Sequence, residues 1–277
     1  MLEKNKAHEA VNSAPSKTDL AKLCTSPRCR IEDSIAKIDA TGLYYRDLSL
    51  DLRHLVHAGI KKIELYNVCG QRYIGTSLKG DIEITISGTP GNDLGAFMDG
   101  PKIRVYGNTQ DGCGNTMNSG EIIVNGSVGD IPGYAMRGGR VFIRGNVGYR
   151  AGIRMKEYGA RIPSIVVGGT AGDFLAEYMA GGTIVLLGLN LEARQFHKSM
   201  HVGTGMHGGR LYVHGKIAGL ASEAVLEELT SEDLSRLQQL VTDFSRHFRY
   251  DPAQILDREF YKICPGSGRP YGGHYAY

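Results

Sequence analysis

Tryptophan is absent from this 277-residue sequence, and long apolar runs are absent as well. Because a bilayer requires a stretch of roughly 20 apolar residues, we expect no membrane-spanning helix. The N-terminal segment lacks the apolar centre of a signal peptide, so we expect a cytoplasmic protein. The net charge is only +3, with acidic and basic residues interspersed, and this balance does not indicate a nucleic-acid partner.

Cysteine is scarce, and of the five residues only Cys24 and Cys29 are close in sequence. An odd count with wide scatter argues against a disulfide framework, so we expect reduced thiols. The pair at 24 and 29 has no second pair that would complete a zinc or iron–sulfur site. Metal binding there is therefore the weaker alternative.

Glycine is abundant, with 38 residues, and it follows a repeat. The repeated glycines are Gly88, Gly107, Gly126, Gly145, Gly169, Gly188 and Gly215, and six repeat units lie between them. One methionine recurs in each unit, as Met98, Met117, Met136, Met155, Met179 and Met206. A period near 20 residues is the mark of a solenoid, and the many glycines exclude helical repeats. The sequence therefore predicts an all-β, right-handed parallel β-helix of about seven coils, with short α-helical flanks.

Each unit carries two aliphatic positions, two residues apart, shortly before the next unit begins. They are Ile103/Val105, Ile122/Val124, Val141/Ile143, Ile165/Val167, Ile184/Leu186 and Leu211/Val213. Alternation with a period of two places both positions on one face of a strand, so we expect them to line the interior. We expect the methionines to fill the same interior, and the unit-starting glycines to form corners with positive φ.

The segments on either side of the repeats divide the chain into four parts. We predict a flexible arm at 1–35, an N-terminal cap with the first strands at 36–87, the repeats at 88–219, and C-terminal helices with an extended tail at 220–277. The cap is expected because the open end of a solenoid otherwise exposes a strand edge and the apolar interior.

The position between the two inward positions should face solvent, yet it is mostly apolar. This outward stripe consists of Arg104, Ile123, Phe142, Val166, Val185 and Tyr212, and Arg144 lies in the next outward row. Left uncovered, the stripe would be a contiguous apolar patch. Either a helix predicted at 234–248 covers it, or a partner protein does, with Arg104 and Arg144 nearer the rim; both can hold. These seven residues form the candidate partner interface.

The sequence contains no recognisable catalytic constellation. Gly203 to Gly208 matches the dinucleotide fingerprint G-x-G-x-x-G, but the strand–turn–helix context is missing. Four histidines, His197, His201, His207 and His214, could hold zinc or iron, although no carboxylate has a spacing that completes the site. We therefore expect no catalytic, cofactor-binding or metal-binding residue in this chain, with an autonomous metal enzyme as the open alternative.

Several motifs closely resemble the C-terminal β-helix, or GXGXG, domain of the glutamate synthase large subunit. They are Gly126–Asp130, Gly169–Asp173, Gly114–Gly120 and Gly133–Gly139 in the repeats. The flanks Gln71–Gly75 and Arg269–Tyr271 resemble the stand-alone form, in which that subunit is split into separate polypeptides. A related β-helix forms one of the subunits of formylmethanofuran dehydrogenase and of the formyltransferase/hydrolase complex.

The resemblance implies a non-catalytic scaffold in ammonia assimilation, where glutamate forms from glutamine and 2-oxoglutarate. The implied partners are an FMN-binding synthase subunit that also holds the iron–sulfur cluster, a glutamine amidotransferase subunit, and a pyridine-nucleotide- or ferredoxin-linked reductase. No cofactor is expected in this chain. Leu2 follows Met1, so an N-terminal cysteine nucleophile is not expected either. The alternative is the β-helix subunit of a formylmethanofuran-processing complex.

Overall fold

A computed structural model describes residues 28–192 and 195–266, in which one sheet runs the length of the repeat region. The strands are β1 (Cys29–Glu32), β2 (Ile35–Asp39), β3 (Lys62–Cys69), β4 (Glu83–Thr89), β5 (Asp99–Tyr106), β6 (Ser119–Val124), β7 (Arg140–Ile143), β8 (Ser164–Val167), β9 (Ala180–Leu186), β10 (Gly208–His214), β11 (Ala224–Glu227) and β12 (Phe260–Pro265). The helices are α1 (Tyr45–His57), α2 (Ser231–Phe248) and α3 (Pro252–Leu256).

Strands β2 to β10 pair in parallel and in chain order, with each strand next to its predecessor. From β4 onward the chain makes one complete coil between consecutive strands, which confirms the parallel β-helix. Six coils lead from β4 to β10, compared with the seven or so predicted for the solenoid. An antiparallel hairpin of β1 and β2 closes one end, and β12 pairs antiparallel with β10 and β11 at the other.

The two inward positions of each strand form continuous ladders. Ile103 pairs with Ile122, which in turn pairs with Val141, so identical positions lie above one another. All twelve predicted ladder residues are buried, and so are the six methionines, which confirms both predictions. Fully burying such a side chain contributes about 1.5–3 kcal/mol, and the ladders therefore dominate the stability of the coils.

The seven repeated glycines do not all have positive φ. Among the seven, only Gly88, Gly188 and Gly215 do, so the expectation of a left-handed corner is wrong for the others. At Gly126, an added Cβ would lie 2.1 Å from Asn108 Oδ1 in the preceding coil. These positions are glycine because stacked coils approach too closely there to admit a side chain.

Positive φ recurs at other positions of the coil, and three of its columns lie two residues apart in every coil. The columns are Tyr73, Asp93, Gly112, Ile131, Arg150, Phe174 and His201; Gly75, Gly95, Gly114, Gly133, Gly152, Ala176 and Gly203; and Ser77, Phe97, Thr116, Ala135, Arg154, Tyr178 and Gly205. The middle column faces the interior, where a Cβ at Gly133 would lie 2.4 Å from Ile165 Cδ1. The outer columns carry many side chains because they face away from that interior.

The N-terminal cap is present and begins earlier than predicted. Strand β1 lies inside the segment expected to be a flexible arm, and residues 1–27 of that arm lie outside the described residues. Helix α1 buries Leu48, Leu52 and Leu55 in the same apolar cluster as the ladders. It thereby covers the end of the interior that the first coil would otherwise leave open.

The cysteines differ in part from the expected reduced state. Cys69, Cys113 and Cys264 are free, as expected, whereas Cys29 is disulfide-bonded. In that form Cys29 offers no thiolate to a metal ion. Cys24, with which a metal site was considered, lies outside the described residues.

The C-terminal segment contains the predicted long helix and two strands that were not predicted. Thr230 caps α2 through a reciprocal pair of hydrogen bonds with Asp233. Strands β11 and β12 fall where the sequence shows no clear alternation, and the end of the tail, 267–277, lies outside the described part of the chain. Across 28–192 and 195–266, none of the helices is both long and apolar enough to cross a membrane.

Replacing Gly133 by alanine is expected to cost more stability than replacing Gly42. Both residues have a φ of +68°, so both variants incur the left-handed strain of about 1–2 kcal/mol. Only Gly133 also meets a neighbouring side chain, whereas nothing lies within 4 Å of a Cβ at Gly42. Chemical denaturation of the two variants measures the difference. Equal losses would mean that the middle column does not face the interior.

Candidate partner interface

Helix α2 lies across the outward stripe that the sequence identified. Ile123, Phe142, Val166, Val185 and Tyr212 are each 0% exposed and form one cluster with the helix. The helix contributes Leu237, Leu240, Val241, Phe244 and Phe248 to this cluster. Because the stripe is filled by the protein's own helix, the interpretation of these five residues as a partner-facing surface is corrected in favour of the helix.

The packing beneath α2 is close. A Cβ at Gly168 would lie 2.9 Å from the ring of Phe244, so the missing side chain lets that ring approach the sheet. The ring of Phe142 lies 4.8 Å from that of His247, centroid to centroid. Such aromatic contacts add to the apolar area that the helix and the sheet bury together.

The polar end of the helix is anchored by Tyr212 and Asp233. The Tyr212 hydroxyl donates to Asp233 Oδ1 at 2.6 Å, and Lys262 Nζ lies 3.0 Å from Asp233 Oδ2. Burial alone raises the pKa of Asp233, but hydrogen bonds from Tyr212, Thr230 and Lys262 outweigh it and hold the pKa well below its usual range. Burial, together with the bond to Asp233, raises the pKa of Tyr212 far above its ordinary value.

A charged network borders the stripe on its other side. Glu121 lies 3.1 Å from Lys102, 2.9 Å from Arg140 and 3.4 Å from His247, and Arg140 also reaches Asp243 at 2.8 Å. Burial raises the pKa of Glu121, but the contacts with His247 and Lys102 outweigh that effect and bring the pKa to about 2. The network therefore joins the sheet to α2 through two largely buried carboxylates, Glu121 and Asp243, which Arg140 bridges.

The two arginines of the candidate interface lie outside the cluster itself. Arg104 is half-buried, and its guanidinium lies 3.3 Å from Nδ1 of His247, so it too contacts α2. Arg144 is exposed at the end of β7. Of the seven candidate residues, Arg144 is the one left open to a partner.

The charged network was missed by sequence reasoning, although a signal for it exists. Lys102, Glu121 and Arg140 occupy the same register position on neighbouring strands, directly before the ladders. Alternating charge along one column of a parallel sheet indicates cross-strand pairing. The contribution of Asp243 depends on the seating of α2 and has no signal in the repeat.

The four histidines do not form a metal centre. His197 is fully buried, its Nε2 lies 2.8 Å from the carbonyl oxygen of His214, and burial lowers its pKa. His201 instead stacks on Phe174, with ring centroids 4.8 Å apart. Across 28–192 and 195–266, no three histidine, cysteine or acidic side chains converge as metal ligands would. His214 also lines a cavity of about 600 Å³, whose other lining residues include the acidic Glu192 and Glu259 and the basic Lys216 and Arg258.

Comparison with known proteins agrees with this architecture. The sequence profile of the family described as "GXGXG motif" matches residues 62–266, which is most of the chain. An uncharacterized protein of Methanocaldococcus jannaschii is 45% identical over 250 residues, covering 86% of this chain and 95% of that protein. The resemblance to the glutamate synthase C-terminal domain is thereby confirmed at the level of the family.

The fold is also found among solved structures, one of which illustrates it. It is a chain of the formyltransferase/hydrolase complex of Methylorubrum extorquens, determined in complex with methylofuran. The TM-score is 0.54, the sequence identity is 24%, and the match covers 72% of each chain. At this identity the likeness shows the fold alone.

Truncating Phe142 to alanine is expected to destabilise the isolated chain by about 3–5 kcal/mol, because it leaves a cavity between sheet and helix. Phe97→Ala is the matched control, since Phe97 is 50% exposed, and its effect should stay within about 0.5 kcal/mol. Thermal and chemical denaturation measure both. A Phe142→Ala variant with unchanged stability that fails to bind partners would restore the docking interpretation.

Glu121→Gln is expected to flatten the acid dependence of stability. The folded pKa of about 2 lies below the ordinary 4.5, so the Glu121 contribution is complete above pH 4.5 and is lost as the pH falls towards 2. At neutral pH the variant should lose about 1–3 kcal/mol, because the charge-assisted contacts of a largely buried carboxylate with Lys102 and Arg140 are lost. The control Glu83→Gln breaks an exposed pair with Lys62 and should cost less than about 1 kcal/mol. Parallel pH profiles for wild type and Glu121→Gln would contradict this role.

Proposed function

Because the chain belongs to the GXGXG motif family, we propose that it is the stand-alone scaffold subunit of a glutamate synthase-type complex. The observation that carries the proposal is the extent of the match, 62–266, which makes the family domain the greater part of this polypeptide. In the fused enzyme, the corresponding domain packs against the glutaminase and synthase domains. We assign the same role to this polypeptide as a separate subunit.

The architecture suits a scaffold. Interior positions of every coil are occupied by ladder residues and methionines, and the sheet face is covered by α2. A solenoid of this kind is stiff along its length, because each coil is hydrogen-bonded to the next. A stiff body with a closed interior can hold two larger proteins at a fixed separation without taking part in their chemistry.

The partners we propose are an FMN-binding synthase subunit, a glutamine amidotransferase subunit and a pyridine-nucleotide- or ferredoxin-linked reductase. FMN and the iron–sulfur cluster would reside in the synthase subunit, and the glutamine-hydrolysing nucleophile in the amidotransferase. The alternative role, in a formylmethanofuran-processing complex, is supported by a shared fold only. It therefore serves as an outcome of the experiment below.

Affinity purification of the tagged full-length chain from its native cells tests the proposal. We expect it to retain a flavin- and iron-containing subunit and a glutaminase, and the complex to form glutamate from glutamine and 2-oxoglutarate. The chain purified alone should be colourless and inactive in that assay. Retention of formylmethanofuran-processing subunits instead, or turnover by the lone chain, would contradict the proposal.

A further inference from the structure

Positive charge is concentrated in two of the coils. Residues 126–168 contain seven basic and two acidic side chains, a formal charge of +5, whereas the whole chain carries +3. The rest of the chain is therefore net negative, at −2. Of the seven cations, Arg140 is paired with Glu121 and Asp243, and Arg150 is paired with Glu177 at 2.8 Å. These two belong to the internal framework of the fold.

Four of the other cations gather around the insertion of the coil that starts at Gly145. Arg137 N donates to Met117 O and Lys156 N to Met136 O, so Arg137 and Lys156 hold the same position on adjacent coils, about 4.8 Å apart. Arg154 lies two residues before Lys156 and belongs to one of the two outer left-handed columns. A Cβ at Gly138 would lie 3.2 Å from Cβ of Arg161, so the insertion folds back beside Arg137.

The insertion is a built protrusion with an aromatic side chain on it. Tyr158 and Arg161 exchange two backbone hydrogen bonds of 3.1 Å, which close a tight turn. Tyr158 is 70% exposed and Ile162 is 36% exposed. Glu157 points away, with its carboxylate 2.9 Å from the backbone nitrogen of Gly182. The one carboxylate of the insertion thus does not neutralise the cations around it.

We call Arg137, Arg154, Lys156, Tyr158, Arg161 and Ile162 the insertion patch. All six side chains are exposed, and within 28–192 and 195–266 none of its four cations forms an ion pair. We propose that this patch is the docking surface for an acidic face of a partner protein. None of the six residues belongs to the cluster that α2 forms with the outward stripe, so a partner can reach them without displacing the helix.

The charge and the residue types of the insertion patch both favour a protein as its partner. Four unpaired cations repel one another, and carboxylates from a partner relieve this repulsion and steer association. Arginine and tyrosine are the residues enriched at the energetic centres of protein interfaces. A nucleic acid would need a continuous basic stripe. The residues equivalent to Arg137 and Lys156 are Asn118 and Asp99 on the preceding coils and Ala180 on the following coil, so the basic column is only two residues long.

The test compares two triple variants of the full-length chain. The patch variant carries Arg137→Glu, Arg154→Glu and Arg161→Glu. The control carries Arg53→Glu, Lys61→Glu and Lys79→Glu, which produce the same change in net charge at exposed positions elsewhere. Partner binding is titrated with the largest protein that co-purifies with the wild-type chain, at two salt concentrations. Melting temperatures of all forms are recorded, and both variants should keep the wild-type value.

We expect the patch variant to lose at least about tenfold in affinity, with a larger loss at low salt, while the control stays within about twofold. Tyr158→Ala should also weaken binding about tenfold or more with an unchanged melting temperature. An equal loss in both triple variants would overturn the proposal, because net charge rather than the patch would then account for it. The proposal would also be overturned if the wild-type chain bound a DNA duplex more tightly than the protein and the patch variant lost that DNA binding.

The inference rests on the proposed function only for the identity of the partner, and the two fail separately. If the co-purifying protein lacks FMN and glutaminase activity but is lost in the patch variant, the docking surface stands and the glutamate synthase assignment fails. If the synthase and glutaminase components are retained equally by the wild type and the patch variant, the assignment stands and the docking surface is wrong.

Discussion

The fixed distance between hydrogen-bonded coils is the constraint on which the rest of the structure depends. Parallel strands lie about 4.8 Å apart, so each position of one coil sits directly on the same position of the next. Hydrogen bonds join the coils at the sheet, along the bridges from Thr109 through Val128 and Val147, and along the left-handed columns. Every interior side chain must therefore fit a neighbour of its own kind, which is why the chain repeats.

The same distance decides where glycine is required. At the start of a unit such as Gly126, a side chain would clash with the preceding coil. In the middle left-handed column, as at Gly133, it would clash with an isoleucine of the ladder. The flanking columns hold residues as large as Phe97 and Arg154 in the same left-handed conformation. The backbone strain there is accepted because these side chains point out of the interior, where they have room to pack on one another, as His201 does on Phe174. Crowding rather than φ alone therefore separates the glycine positions from the others.

Interior features could be predicted from the sequence, because stacked coils require similar residues at a regular interval along the chain. The ladders, the methionines and the coil architecture follow from that interval. Features that depend on one non-repeating contact could not be predicted. The sequence left open what covers Phe142, because the position of α2 is set by its junction with Tyr212 and Asp233. The failure over Gly126 has a similar cause, since a glycine required by a close approach between coils looks the same in a sequence as one required by a left-handed corner.

Interior residues are constrained by the stacking of the coils. Residues that recognise a particular partner must therefore lie on the outer surface. The sheet face is already occupied by α2, which leaves the outer columns and the insertions. An insertion is tolerated only where the chain can leave the coil and return in register, and the one near Tyr158 does so. Lys156 N still bonds Met136 O before it, and Ser164 N bonds Gly139 O after it. The extra residues therefore do not disturb the ladders, and the exposed cations they bring together need not stabilise the fold. A surface that the fold does not require can change without loss of stability, so the insertion is better suited to recognising a partner than the repeat is.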